Sequence, residues 1–258
     1  MFLIKTRFTL IILTLAIVTV LLTLSSFFTK EDKKVFIFAA VSLTEPLEEI
    51  KDIFYQQNNI SIILNFGGSQ TLAAQISRGA SPDIFIPAGM SPYKFIKEKD
   101  IKIYSDNVLI SNKLIFVSNQ SINNWENLNI EELLTSAKIN RIAIADPELA
   151  PAGQYSFQVL DNMKLLTKIE DKIIKTKNVR DAVNYMRLGL AEGVFAYNTD
   201  FNDYQQNFNK KLISEELYNK VQYPLIILNN SKDINEFLYF LNGSIAKDIF
   251  IKYGFSNP

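Results

Sequence analysis

Residues 34–54 read KVFIFAAVSLTEPLEEIKDIF, and the change of periodicity inside this stretch decides the fold. Val35, Phe36, Ile37 and Phe38 form a short β-branched and aromatic run, the composition of a strand covered on both faces. From Leu43 the apolar residues recur at Leu43, Leu47, Ile50, Ile53 and Phe54, the spacing of one helix face. The pattern predicts a buried strand that passes through residues 39–42 straight into a helix. A helix start leaves backbone N–H groups without intrahelical acceptors and gathers positive partial charge, so such a turn can seat an anion. Ser42 with Glu45 also fits the S-x-x-E capping box, which taken alone is the commoner role of a serine before a helix.

A second turn of the same kind lies at residues 64–76, LNFGGSQTLAAQI, where a strand ends in Gly67 and Gly68 and Ser69 precedes a helical stretch. Glycine lets backbone approach a ligand closely. Two strand-to-helix turns, each with a serine hydroxyl, can therefore point at one anion. Gly79 then stops the helix and residues 82–86 read as the next strand, an order that predicts a parallel sheet flanked by helices. A helix over about residues 92–99 follows. Residues 105–118, SDNVLISNKLIFVS, are strand-like and interrupted at Asn112 and Lys113, which reads as the crossing into a second lobe.

In that second half Trp125, Leu128, Leu133 and Leu134 suggest a short helix, and RIAIA at 141–145 is another buried strand. It ends in DPELAPAG, a loop of proline and small residues ahead of a helix expected over residues 154–163. A further amphipathic helix starts near Asn178 and Val179, and GVFAY at 193–197 is a short strand ending on Tyr197, a residue type more often in the core than on a ligand. YPLIIL at 223–228 is the last strand, and residues 234–250 read as one helix closed by Tyr253, Gly254 and Phe255.

At 258 residues the chain can bury a sizeable core, as one large or two modest domains. Lysine plus arginine equals aspartate plus glutamate, 27 each, so nothing points to nucleic acid. The sequence holds no cysteine and no histidine, which removes thiolate nucleophiles, the usual zinc sites and imidazole acid–base chemistry together, and no enzyme is expected. At the N-terminus Lys5 and Arg7 precede an apolar run over residues 8–24, the pattern of an export signal. No A-x-A site follows, and residues 8–28 are long enough to span a bilayer, so residues 1–30 read as an export signal or an N-terminal membrane anchor.

Taken together, FAAVSLTEPLEEI, FGGSQTLAAQI, GASPDIFI, DPELAPAGQY, NVRDAV, the strand ending in Tyr197 and KYGF near the C-terminus resemble the periplasmic molybdate-binding proteins of ABC transporters. The similarity covers roughly residues 35–255. It implies an α/β, two-lobed periplasmic binding protein fold of type II, each lobe a mainly parallel sheet flanked by helices, with the ligand in the cleft between them. On that basis residues 31–111 form the first part of lobe 1, 112–222 lobe 2, and 223–258 the return to lobe 1. Carried over by motif position, the oxyanion contacts are Ser42, Ser69, Ala152, Val179 and Tyr197, none of them a direct metal ligand. The ligand implied is molybdate or tungstate, with no cofactor. The partners implied are a membrane permease and its ATPase, because this chain carries no G-x-x-x-x-G-K-[ST] sequence of its own. Location outside the cytoplasmic membrane, contact with it only through the N-terminal segment, and action as a monomer also follow. The chain departs from the family pattern at Gln70 and Gly89.

Molybdate and tungstate carry no proton near neutral pH, so every ligand oxygen can only accept hydrogen bonds and a site made solely of donors suits them. A protonated phosphate needs an acceptor as well. Arg180, beside Val179, reads better as an interlobe or solvated salt bridge than as a counter-ion, and Asp146 and Glu148 as loop structure. The alternatives are a receptor for another oxyanion such as sulfate, or an anchored serine hydrolase using Ser42 or Ser69 with a lysine base; Lys51 lies more than two helical turns from Ser42.

Overall fold

A computed structural model describes residues 33–201 and 208–258; the expected export or anchor segment lies outside the described residues. Its elements in chain order are β1 (Lys34–Ala40), α1 (Thr44–Asn58), β2 (Ser61–Gly67), α2 (Ser69–Ser77), β3 (Ile84–Ile86), α3 (Met90–Glu98) and β4 (Ser105–Asn112). There follow β5 (Leu114–Ser118), α4 (Ile130–Thr135), β6 (Ile142–Ala145), α5 (Pro151–Asn162), α6 (Leu166–Ile169), β7 (Ile173–Thr176), α7 (Val179–Arg187), β8 (Gly193–Tyr197) and β9 (Asn209–Leu212). The order closes with β10 (Val221–Ile227), α8 (Lys232–Leu241) and α9 (Ser244–Lys252).

These strands form two sheets, in the orders β2-β1-β3-β10-β4 and β7-β6-β8-β5-β9. In the first, β1 runs parallel to β2 and β3 while β10 is antiparallel to β3 and β4. The second repeats the plan, with β6 parallel to β7 and β8 and β5 antiparallel to β8 and β9. Each sheet is therefore mainly parallel with one reversed strand, where the sequence order alone predicts a parallel sheet. The reversed strands β5 and β10 are those the chain enters from the other lobe, so no strand–helix–strand crossover sets their direction. Pro224 falls at a register shift opposite β4, where a missing N–H is tolerated.

Alternation along β1 explains the layers. Val35, Ile37 and Ala39 face a core shared with Leu43, Leu47, Ile50 and Phe54 of the first turns and α1 and with Phe237 and Phe250 from the C-terminal helices. Phe38 points the other way, onto Leu72, Ala73, Ile76, Tyr93 and Ile96 of α2 and α3. Both faces of β1 are thus covered, and each fully buried large apolar side chain contributes about 1.5–3 kcal/mol.

Three local features differ from the sequence reading. Ser42 lies in a 3-10 turn, Val41–Leu43, and α1 begins only at Thr44. The helix expected from residue 154 starts at Pro151, because proline fits the first helical position where its missing N–H costs nothing. The single C-terminal helix is two, broken at Asn242 and Gly243; a glycine inside a helix costs about 1 kcal/mol relative to alanine.

Candidate functional site

Ser42, Ser69, Ala152, Val179 and Tyr197 all line one narrow cavity between the two lobes, with a free volume of about 10 Å³. That is about the room one water needs, far below the roughly 300–1,000 Å³ of an organic-ligand pocket, so the lobes as they stand leave no space for a larger organic ligand. All five are buried, none more than 4 % exposed. The first lobe supplies the 3-10 turn after β1 and the start of α2; the second supplies the starts of α5 and α7 and the end of β8.

Four helical starts therefore face the cavity. The residues before three of them are Ala40, Gly68 and Ala150, which place no side-chain cap on the first-turn N–H groups. At the fourth, the Asn178 side chain accepts from Asp181 N at 3.0 Å, leaving the Val179 N–H at the first position, where no intrahelical acceptor exists. Ala152, at the second position of α5, is in the same situation. The starts of the three α-helices, α2, α5 and α7, each carry roughly half a positive charge.

The hydroxyls complement these amides. Ser69 Oγ accepts from Ala88 N at 3.0 Å, so its own proton is left to donate. Ser42 does not cap α1; its Oγ lies 3.0 Å from the Tyr223 hydroxyl. The Tyr197 hydroxyl is enclosed and has no hydrogen-bond partner among the described residues. Burial pushes the Tyr197 phenol well above its ordinary range, so it stays protonated and remains a donor. Ser42, Ser69, Ala152, Val179 and Tyr197 thus offer hydroxyl or amide donors and neither carboxylate nor cationic side chain.

Beyond Ser42 a second, larger cavity of about 100 Å³ carries Glu45, Arg180, Arg187, Thr199 and Asp200. Its two guanidiniums are offset by two carboxylates, acceptors to which an unprotonated dianion has nothing to donate. Arg180 of α7 clamps Glu45 of α1 through two contacts of 2.6 Å, an ion pair between the lobes, as the sequence reading favoured. The hydrogen bond from Arg180 holds the Glu45 carboxyl below its usual range. Asp200 accepts from Tyr197 N at 2.9 Å, and burial pushes its carboxyl up to about 6. Asp146 Oδ1 accepts from Glu148 N at 3.0 Å, which is loop structure. Lys51 pairs with Glu48 of its own helix, so the hydrolase alternative gains no base near Ser42.

The two departures from the family pattern behave differently. Gly89 has a φ of +143°, and a Cβ there would lie 2.8 Å from the Tyr155 hydroxyl and 2.9 Å from Pro151 Cβ. Gly68 is similar, because a Cβ would lie 2.7 Å from Leu149 O and 3.3 Å from Lys177 O. Both are first-lobe glycines against second-lobe atoms, so their bareness permits the lobes to meet. Gln70 does not line the cavity, and its amide atoms are buried without partners among the described residues. Sequence reasoning missed Tyr223, Asn112 and Asp200. Tyr223 and Asn112 are a strand aromatic and a strand break in the sequence, and only the pairing of β4 with β10 brings them together.

Residues 35–256 match the family described as bacterial extracellular solute-binding protein. The molybdate-binding protein ModA of Haemophilus influenzae is 31 % identical over 228 residues, covering 86 % of this chain and 90 % of that protein. ModA of Escherichia coli is 27 % identical over 239 residues, covering 88 % and 90 %. The periplasmic molybdate-binding protein of Azotobacter vinelandii superposes with a TM-score of 0.76 at 22 % identity, covering 87 % of this chain and 99 % of that one, and so shares the fold. With two lobes, a cavity between them and a match that spans nearly every described residue, the chain belongs to the bacterial extracellular solute-binding protein family.

Proposed function

We propose that the chain captures molybdate, and tungstate by the same contacts, outside the cytoplasmic membrane and delivers it to an ABC transporter permease driven by a separate ATPase. One observation carries this reading: a single narrow cavity between the lobes is lined by hydroxyl and helix-start amide donors, including the orphaned Tyr197 hydroxyl. A tetrahedral oxyanion without a proton can use every one of them, and a hydrogen bond to a charged group contributes about 1.5–3 kcal/mol. The molybdate-binding relatives support the same ligand class.

In this reading Ser42 and Ser69 give hydroxyl donors, Ala152 and Val179 give backbone N–H, and Tyr197 gives its phenol. Residues 31–111 and 223–258 act as one lobe and residues 112–222 as the other, closing about the crossings near Asn112 and Tyr223. Residues 1–30 export the chain or hold it at the membrane, and one chain suffices. Calorimetric titration with molybdate, tungstate, sulfate and phosphate tests the reading. Tight one-to-one binding of the first two supports it; preference for sulfate or phosphate, or no binding, overturns the ligand assignment.

A further inference from the structure

We infer that Tyr223 and Asn112, neither of which lines the cavity, are positioning residues that fix Ser42 as a donor and thereby set the preference for fully deprotonated oxyanions. The inference rests on the oxyanion-receptor reading above and deepens it.

The direction of the hydrogen bonds carries the argument. Asn112 Oδ1 accepts from the Lys113 N–H at 2.8 Å, which orients the amide. Its Nδ2 then donates to Thr199 Oγ1 at 2.9 Å and to the Tyr223 hydroxyl oxygen at 3.3 Å. An amide nitrogen accepts nothing, so the phenol proton of Tyr223 must go to its other neighbour, Ser42 Oγ, 3.0 Å away. Ser42 is then an acceptor toward Tyr223, and its single proton is left for the cavity. The chain of donors, Asn112 to Tyr223 to Ser42, polarises each successive hydroxyl.

Tyr223 is held for this task. It is wholly buried, with the Tyr197 ring edge-on at 6.2 Å and the Phe255 ring at 5.5 Å. Burial also keeps its phenol protonated. Ser69 reaches the same state by a different route, through the Ala88 N–H. Both serines therefore present their protons to the cavity, and with one lone pair of each already taken, a ligand that must itself donate competes with that orientation for the one that remains. The relay draws on β4, β10, the 3-10 turn after β1 and, through Thr199, the second lobe.

The test uses the detergent-solubilised full chain, titrated near neutral pH with molybdate and with inorganic phosphate, which retains a proton there. Asn112→Asp replaces the donor facing Tyr223 by an acceptor of the same shape; the phenol proton turns toward it, and Ser42 shows a lone pair to the cavity. Tyr223→Phe frees Ser42 without adding charge. Both variants are expected to narrow the molybdate-over-phosphate affinity ratio by about tenfold, and Ser42→Ala is expected to abolish that effect when combined with either. A purely structural role would weaken both anions alike and lower the melting temperature, leaving the ratio unmoved; an unmoved ratio in the variant that folds overturns the inference. If the wild-type chain binds no molybdate, the receptor reading itself fails, and the inference with it.

Discussion

Tyr197→Phe separates binding from folding, because the hydroxyl it removes is enclosed yet bonded to nothing among the described residues. In the unliganded protein a buried hydroxyl without a partner costs about 1–3 kcal/mol, so its loss should be neutral or stabilising. A gain of about 1 kcal/mol would raise the melting temperature by roughly 2–4 °C for a chain of this size. In the complex the same change deletes one donor to a doubly charged acceptor, about 1.5–3 kcal/mol, or roughly tenfold to a hundredfold in affinity. The two effects have opposite sign, which few substitutions achieve. Thermal melts with and without molybdate, beside a calorimetric titration, read both: the free protein melts no lower than wild type, and the stabilisation by ligand shrinks. A free protein that melts several degrees lower with affinity intact would refute the reasoning, since the hydroxyl would then be a structural donor.

Gly68→Ala should impair the meeting of the lobes. Its φ of −63° and ψ of 131° suit alanine, whereas the added Cβ would meet Leu149 O at 2.7 Å on the opposing lobe; molybdate binding is expected to weaken about tenfold or more, read by calorimetric titration. Glu45→Gln breaks the ion pair to Arg180, whose side chains are 46 % and 28 % exposed. Such a pair contributes at most about 1 kcal/mol, so affinity should fall about fivefold or less, and less still in high salt. Because Arg180 depresses the Glu45 pKa, the pair's contribution is complete above the usual glutamate value and is lost as pH falls below it through the lowered one, which a pH series of titrations reads. Asp200→Asn should stabilise the protein near neutrality. Its carboxyl is raised from 3.8 to about 6, so the stabilising influence of the protonated form is full below the unfolded value and disappears as pH rises to about 6. The substitution should recover about 1–3 kcal/mol at pH 7, the lower figure because the residue also borders a polar cavity that admits water, and almost nothing at pH 4. Denaturant melts at the two pH values decide it.

Strand-to-helix turns were legible because they change the period of apolar residues within a few positions, as at Ala39–Leu43 and again at Phe66–Gln70. Ala152 and Val179, which can give only backbone N–H, came from motif resemblance, since no side chain announces an amide donor. What the sequence hid depends on long-range pairing. Ser42 with Glu45 fits a capping box, yet Glu45 is drawn to Arg180 in the other lobe and Ser42 to Tyr223, 181 positions later. The reversed direction of β5 and β10 was equally hidden, because it follows from the chain passing between lobes rather than from local pattern. Gly89 stood out only as a departure from the family pattern; its φ and the closeness of Tyr155 give it a reason.

The most direct test of the account is a crystal structure of the protein grown with molybdate, with diffraction collected at the molybdenum absorption edge. The account predicts a single strong anomalous peak in the cavity bounded by Ser42, Ser69, Ala152, Val179 and Tyr197, its oxygens within hydrogen-bond reach of the three hydroxyls and the helix-start amides. A peak elsewhere, such as in the neighbouring cavity beside Arg187 and Asp200, or no peak at all, would contradict it.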